Sequence, residues 1–260
     1  MAGIHIPREA TIALRAIQET LGSTVVAVSL YGSAVDGGLR AGSDVDILAI
    51  VNAGLPELAR QALAGRLLQI SGRVGNKDLV RPLEITVVNL SSVVPWKYPP
   101  EKEFVYGEWL RSAYERGNIP APSADPDLAI LLSQIRSSGI ALAGPAPSEL
   151  LDTVPMGDVR KAMAQCLPGL VESTRGDERN VILTLARMWV TAATGEFLPK
   201  DRAAQWAFPR LTGQHAALLA LAECAYRGER MDRWEGMEAD ADGLVDHLKK
   251  EVECCLAEKA

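Results

Sequence analysis

Strand-like apolar segments occur only in the first half of this chain, and that distribution constrains the fold more than any other feature of the sequence. Three segments are short, apolar and rich in β-branched residues, as expected of buried strands: 24–30, 45–51 and 83–89. Two helical patterns, at 8–21 and 56–70, alternate with them. From residue 128 onward, apolar residues recur three and four positions apart, at 128–142, 159–170, 178–194, 201–206, 215–226 and 241–256. The sequence therefore predicts strands mixed with helices first, and helices alone afterwards.

Residues 144–155, GPAPSELLDTVP, concentrate glycine and proline in the way that is typical of a boundary between domains. We therefore expect an α+β chain with two domains. Residues 1–152 should form a small mixed sheet with helices, and residues 153–260 should form an all-α helical bundle.

The composition excludes several classes of protein. The 260 residues are 48% hydrophobic and 23% charged, as in globular domains rather than disordered chains. A net charge of −6 argues against nucleic acid as the main partner, because proteins that bind it are usually basic. The sequence has no apolar run of membrane-spanning length, no signal-peptide pattern and no C-x-x-C pair among its four cysteines. We expect a cytoplasmic protein with free thiols and no membrane partner.

Two carboxylates open the second strand-like segment. Val45, Ile47 and Ala49 suit the buried face of that strand, so Asp44 and Asp46 point the other way. Their side chains are about 7 Å apart along the chain, and like charges at that spacing repel. A divalent metal ion would explain the pair, although a solvated strand end is the commoner reason for an isolated D-x-D.

Glu84 adds a third carboxylate. Leu83, Ile85 and Val87 suit the core face of their strand, which places Glu84 on the opposite face. If this strand neighbours the segment at 45–51, three oxygen ligands meet there. Together with phosphate oxygens they form the ligand set of a two-metal phosphoryl-transfer site.

The Gly32–Ser33 pair follows the first strand-like segment. Such a turn presents backbone N–H groups and a hydroxyl to an anion, although an ordinary turn has the same sequence. The motifs follow one order: G-S, then D-x-D about ten residues later, then an acid on a later strand. The combination is far more specific for such a site than any one part.

With these motifs the chain resembles the polymerase-β-type nucleotidyltransferase superfamily. More narrowly, it resembles the aminoglycoside (3'')(9)-adenylyltransferases, which act on streptomycin and spectinomycin, and their 9-specific relatives. The resemblance covers nearly the whole chain. The segments that carry it are LYGSAVDGGL, SDVDIL, LEITVV, VPWKYPP, YGEWLR, GDERNVILTLARMW, TGEFLPKDRAAQW and AYRGE.

The resemblance implies a magnesium-dependent enzyme that transfers AMP from ATP to the 9-hydroxyl of spectinomycin, with the 3''-hydroxyl of streptomycin as a second candidate acceptor. It implies two Mg²⁺ ions, ATP as co-substrate and an aminoglycoside or aminocyclitol drug as partner, in a chain that we expect to be a monomer. Two alternatives remain: transfer to another acceptor, and a non-catalytic nucleotide-binding module of the same fold.

The resemblance also implies roles for residues of the first domain. Asp44 and Asp46 would bind the two magnesium ions, and Glu84 would be both a metal ligand and the catalytic base. The nucleotide is expected to contact Ser33, Ser43 and Asp127. The antibiotic is expected to contact Trp109.

In the second domain, a polar stripe runs along the helix predicted at 178–194. Its members recur at spacings of three and four: Asp177, Asn180, Thr184, Arg187 and Thr191. Because the rest of the helix is apolar, the stripe either lines a cleft or forms a narrow solvent-exposed strip. The resemblance implies that Asp177 and Asn180 contact the antibiotic. The other residues are expected to bind the nucleotide: Arg187 and Lys200 at the phosphates, Tyr226 at the adenine, and Thr191 on the same stripe.

One segment departs from the dual-specificity members. The stretch LVESTRGDER is about two residues shorter than in those members. Upstream of GDER it has Val171 where they have a Trp, and it lacks the Asp that they have there and that is associated with streptomycin. This departure favours spectinomycin alone. Because Arg187 and Lys200 both belong to the helical domain, we also expect ATP to bind before the drug and to help close the domains.

Overall fold

The computed structural model describes residues 5–40, 42–73 and 80–259. By its internal contacts the chain divides into two compact units, Met1–Val154 and Pro155–Ala260. Each unit is described by itself.

The first unit combines a mixed sheet with helices. Its elements, in chain order, are α1 (Arg8–Leu21), β1 (Val25–Tyr31), β2 (Val45–Val51), α2 (Glu57–Ile70), β3 (Leu83–Asn89), α3 (Leu90–Val93), β4 (Glu101–Lys102), β5 (Phe104–Tyr106), α4 (Arg111–Glu115), β6 (Ser123–Ala124), α5 (Asp127–Ser138), β7 (Ile140–Ala143) and α6 (Pro147–Leu150). Short 3₁₀ turns follow α1, β1 and β5, at Gly22–Thr24, Gly32–Ala34 and Glu108–Leu110.

The main sheet has five strands in the order β5-β3-β2-β1-β7. The central pair β2 and β3 is parallel, and the three other pairs are antiparallel. One face of β2 and β3 packs with α1 and α2 into the core of this unit, and Val45, Ile47 and Ile85 are fully buried there. The mixed sheet and the predicted core face of β2 and β3 are therefore confirmed.

The helix predicted at 128–142 was wrong at its end. The α5 helix stops at Ser138, Gly139 has extended backbone, and Ile140–Ala143 forms strand β7 beside β1. The apolar residues of 140–143 continue the helical spacing, so periodicity alone could not separate them from the helix. Pairing with the edge of β1 decided the conformation, because it satisfies backbone groups that an extended segment would otherwise leave without partners.

The second unit is helical. Its helices are α7 (Met156–Glu172), α8 (Glu178–Thr194), α9 (Lys200–Ala207), α10 (Gly213–Tyr226) and α11 (Glu238–Ala257), and residues 155–259 contain no strand. Helix α8 is at the centre, in contact with the other four, as expected of a helix that is apolar on most sides. The predicted helical region is confirmed. Within the part of the chain that the structure describes, no helix is both long and apolar enough to cross a membrane.

Candidate active site

Three polar side chains occupy one row across the centre of the sheet. Tyr31 at the end of β1 pairs with Asp46 of β2, and Asp46 pairs in turn with Glu84 of β3. The neighbouring row, Leu30 with Ile47, belongs to the buried core, so successive side chains place the polar row on the opposite face. Asp46 and Glu84, which the sequence placed on separate strands, are thus direct neighbours, and their backbones are about 5 Å apart across the sheet.

The turn after β1 contacts the first of these acids. Gly32 has a φ of +65°, and a Cβ atom at this position would lie 2.0 Å from the Oδ2 atom of Asp46. The backbone of the turn therefore rests against the Asp46 carboxylate, in a space that only glycine leaves open. Ser33, the next residue, is half-buried in the same turn. The structure brings the predicted G-S turn and the D-x-D motif together.

The loop that leads into β2 is held by an arginine. The Nη1 atom of Arg81 donates hydrogen bonds to the carbonyl oxygens of Arg40, at 2.6 Å, and Ser43, at 3.1 Å. The backbone N–H of Arg40 donates to the Ser43 hydroxyl at 2.9 Å. Ser43 is therefore a buried loop residue, and Asp44 follows it at a half-buried position directly before β2. Sequence reasoning missed Arg81, which lies distant in sequence and belongs to no motif.

Tyr31 is the other residue that sequence reasoning missed. Its side chain is buried, and among the described residues its hydroxyl has no hydrogen-bond partner of normal geometry. Burial raises the pKa of Tyr31 well above its ordinary value of 10.0, and the carboxylates of Glu84 and Asp46 raise it further. A weak hydrogen-bonding interaction with the Thr86 side chain lowers the pKa in part, and the Asp127 carboxylate raises it slightly. Three of the predicted acids therefore act on one buried hydroxyl, which stays protonated at neutral pH.

The donor set suits a hard divalent cation. Carboxylate oxygens are the ligands that Mg²⁺ prefers, and Asp46 and Glu84 present them on one face of the sheet. Within residues 5–40, 42–73 and 80–259, no three His, Cys, Asp or Glu side chains form a complete metal-binding group. Like-charged carboxylates repel, so close grouping of three is expected only with a cation and phosphate oxygens between them.

Trp109 lies beyond β5, in the Glu108–Leu110 turn. It is 62% exposed, and its ring rests on the backbone of Gly107, where a Cβ atom would lie 2.1 Å from the Cζ3 atom. A large exposed aromatic ring fixed against the backbone can serve as a rigid contact surface for a ligand.

The residue before Trp109 anchors this turn. The Glu108 carboxylate accepts hydrogen bonds from Nε of Arg111 at 2.6 Å and from the Ser71 hydroxyl at 2.6 Å, and the Tyr106 hydroxyl donates to it at 2.9 Å. Burial tends to raise the pKa of Glu108, but the bonds from Arg111, Ser71 and Tyr106 outweigh it and the pKa is lowered. The network joins the end of α2 to the turn that carries Trp109.

In the second unit, three predicted site residues form a continuous hydrogen-bonded chain. The Nδ2 atom of Asn180 donates to Oδ1 of Asp177 at 2.7 Å, and Nζ of Lys200 donates to Oδ1 of Asn180 at 3.1 Å. The same Nζ lies 5.9 Å from the centre of the Tyr226 ring. Residues expected at the drug and at the nucleotide are therefore joined through one amide.

The polar stripe of α8 ends earlier than the sequence suggested. Asn180, Thr184 and Arg187 are half-buried, but Thr191 is 3% exposed and its hydroxyl donates to the Glu196 carbonyl at 2.8 Å. The assignment of Thr191 to the nucleotide stays a prediction. The hydroxyl is enclosed at the end of α8, where it holds the following loop.

Asp177 also borders a cavity of about 280 Å³ within the second unit. Among the residues that line this cavity, the carboxylates outnumber the single arginine, Arg179. The lining carboxylates are Asp177, Glu178, Asp232, Glu235 and Glu238, and the uncharged lining residues are Gly176 and Trp234. Arg179 pairs with Asp232 at 3.1 Å, which leaves the remaining wall acidic. Such a surface favours a cationic group.

Comparisons with known proteins give family matches in both units. Residues 12–108 match the family model of a nucleotidyltransferase domain. Residues 149–251 match the family model described as the C-terminal domain of aminoglycoside adenylyltransferase. Each family model falls mainly within one of the two units.

Individual relatives match over nearly their full length. Spectinomycin 9-adenylyltransferase of Staphylococcus aureus is 53% identical over 251 residues, which cover 96% of both chains. Aminoglycoside (3'') (9) adenylyltransferase of Escherichia coli is 41% identical over 238 residues, covering 91% of this chain and 90% of that one. The crystal structure of spectinomycin adenyltransferase AAD(9) from Enterococcus faecialis with ATP and spectinomycin has a TM-score of 0.90 at 31% identity, covering 94% of this chain and 98% of that one.

Proposed function

The chain belongs to the aminoglycoside adenylyltransferase family, and on that premise we propose that it transfers AMP from ATP to the 9-hydroxyl of spectinomycin and thereby confers resistance to the drug. A bond forms between the drug oxygen and the α-phosphorus, the bond to the β-phosphate breaks, and pyrophosphate leaves. The observation that carries the proposal is the direct pairing of Asp46 with Glu84, beside the Gly32–Ser33 turn.

In the proposed reaction the residues of the first unit bind metal and move one proton. Asp44 and Asp46 hold two magnesium ions with Glu84, and Ser33 contacts the nucleotide phosphates. Bound magnesium neutralises the triphosphate and lowers the pKa of the attacking hydroxyl. Glu84 accepts the hydroxyl proton as the general base. The protonated Tyr31 nearby supports this assignment, because a phenol that stays neutral does not compete for the proton.

The second unit supplies the remaining contacts in this proposal. Arg187 and Lys200 bind phosphate oxygens, and the Tyr226 ring, close to Lys200, lies against the adenine. Asp177 and Asn180 bind the drug, and the acidic wall beside Asp177 suits the amines of spectinomycin. In this proposal the nucleotide binds before the drug. Lys200, which binds its phosphates, is hydrogen-bonded to Asn180, so a phosphate on Lys200 changes the contact that Asn180 offers to the drug.

Spectinomycin is preferred to streptomycin in this proposal because of the short segment between α7 and α8. Val171 lies in the last turn of α7, and the segment from Ser173 to Asp177 leads directly into α8. A Val side chain cannot provide the aromatic surface of the Trp found in dual-specificity members. The absence of the accompanying Asp in LVESTRGDER removes a partner for a streptomycin amine.

The test is growth of cells that express the chain, on spectinomycin and on streptomycin, together with mass analysis of purified enzyme incubated with ATP, Mg²⁺ and each drug. We expect adenylylated spectinomycin and growth on that drug alone, and no product from a Glu84→Gln variant. Modification of another compound in a drug panel would favour the alternative acceptor. Absence of pyrophosphate with every acceptor would favour the non-catalytic module. Light scattering should show a monomer, and the ATP supply places the proposed reaction in the cytoplasm.

A further inference from the structure

The hydroxyl of Tyr31 is a buried polar group that makes no hydrogen bond of normal geometry within residues 5–40, 42–73 and 80–259, although a weak interaction with the Thr86 side chain lowers its pKa in part. The residue is 4% exposed. A buried hydroxyl without a partner lowers the stability of a folded protein, and a Phe side chain of nearly the same shape would avoid that loss. The hydroxyl therefore needs an explanation other than the stability of the folded chain.

The position of the ring indicates which group the hydroxyl serves. Tyr31 is paired with Asp46 across β1 and β2, and Asp46 is paired with Glu84 across β2 and β3. Partners across a sheet have their side chains on the same face, so Tyr31 lies on the polar face, in one row with Asp46 and the group assigned as the base. Besides burial, the Glu84 carboxylate raises the pKa of Tyr31, as expected of a side chain on that face.

We propose that Tyr31 is a positioning residue whose hydroxyl donates a hydrogen bond to one oxygen of Glu84 when metal and nucleotide are bound. The inference rests on the proposed function and extends it to a residue outside the known motifs of metal ligation. With one carboxylate oxygen held by Tyr31, the other is directed towards the acceptor hydroxyl. Groups that orient metal-binding carboxylates in this way commonly change metal affinity or activity by 10- to 100-fold when they are replaced.

A positioning role and a purely structural role predict different results for Tyr31→Phe. If the hydroxyl positions Glu84, the apo variant should melt at the same temperature as the parent or higher, because a buried group without a partner has been removed. Its kcat should fall about 10- to 100-fold with little change in the KM for drug, because the lost interaction acts on the base rather than on drug binding.

Tyr114→Phe is the matched control within the same unit. Tyr114 is also buried, at 5% exposed, but its hydroxyl donates to the carbonyl oxygen of Val105. The same substitution there removes a hydrogen bond of the fold. The melting temperature of this variant should fall while kcat stays within about twofold of the parent, because Tyr114 lies outside the polar row.

A binding measurement separates this inference from the proposed function. Calorimetric titration of Mn²⁺ into enzyme saturated with a non-hydrolysable ATP analogue reports on the carboxylates whatever the acceptor is. We expect about tenfold weaker Mn²⁺ binding to Tyr31→Phe and parental binding to Tyr114→Phe. If the parent binds Mn²⁺ but modifies no drug, the proposed function fails while this comparison still holds.

Two results would overturn the inference. One is a Tyr31→Phe enzyme with parental Mn²⁺ affinity, or with parental kcat where the parent is active. The other is a fall in melting temperature as large as that of Tyr114→Phe, together with a kcat that falls only in proportion to the unfolded fraction. That result would show that the hydroxyl stabilises the fold and does not position Glu84.

Discussion

The Asp46 carboxylate occupies the space in which a side chain on Gly32 would begin, with its Oδ2 atom 2.0 Å from the position of that Cβ. The contact joins the turn after β1 to the central strand of the sheet. It means that the geometry of the candidate metal site depends on a residue that has no side chain.

Gly32→Ala should therefore weaken nucleotide and metal binding as well as stability. Its positive φ costs an L-residue roughly 1–2 kcal/mol, and the new methyl group displaces Asp46. Gly22→Ala is the matched control, since Gly22 has a φ of +56° and open space around its Cβ. Both variants should lose stability in urea unfolding, but calorimetry should show about tenfold weaker Mg²⁺-dependent ATP binding only for Gly32→Ala. Equal binding by the two variants would contradict the role of the contact.

Glu84→Gln should abolish transfer and leave ATP binding largely intact. The amide keeps the size of the carboxylate but cannot accept the proton, and loss of a general base lowers kcat by about 10²- to 10⁴-fold. A pyrophosphate-release assay measures the loss. Glu101→Gln, at an exposed position on β4, should behave as the parent enzyme. An active Glu84→Gln enzyme would refute the assignment of the base.

Asn180→Ala should uncouple the drug from the nucleotide. The amide is bonded at one end to Asp177 and at the other to Lys200, so a phosphate that binds Lys200 changes the partner available to Asp177. Coupling between sites is typically worth about 1–3 kcal/mol, so we expect the gain in spectinomycin affinity caused by an ATP analogue to fall by about fivefold or more.

The same titration without nucleotide is the internal reference for Asn180→Ala, and Gln205→Ala is the control variant. Gln205 makes an exposed hydrogen bond to Glu223 and should retain the full coupling. If the nucleotide improves drug affinity equally in Asn180→Ala and in the parent, the amide does not connect the two ligands.

Glu108→Gln should destabilise the first unit in a pH-dependent manner. The carboxylate and Arg111 are 7% and 11% exposed, and breaking one partner of a buried ion pair typically costs about 3–5 kcal/mol. The pKa of Glu108 is lower in the folded protein, so its stabilising contribution is present above the unfolded-state pKa near 4.5 and is lost as the pH falls through the folded-state pKa.

Urea unfolding from pH 7 down to pH 3 measures this contribution. The parent and Glu108→Gln should differ most at neutral pH and converge as the Glu108 carboxyl of the parent becomes protonated. Glu115→Gln, which removes a more exposed partner of Arg111, should change stability by less than about 1 kcal/mol. A constant difference across the pH range would show that the ionised form of Glu108 is not what stabilises the turn.

Local patterns were sufficient for the elements that bury their own apolar face. Helix α1 and strands β2 and β3 begin and end as the sequence predicted, because alternation and helical spacing report directly on which side chains face a core. The same logic misassigned 140–143, where a helical spacing of apolar residues hides an edge strand.

By itself the sequence predicted that Asp44, Asp46 and Glu84 face away from a core, and its collinear motifs determined the family. It could not determine that Asp46 and Glu84 are neighbours, since the register of parallel strands is set by packing across the sheet rather than by residues near in sequence. Only the tertiary structure placed Gly32 against Asp46, and Tyr31 in one row with Asp46 and Glu84. Both relationships depend on distances between separate strands, which local periodicity does not encode.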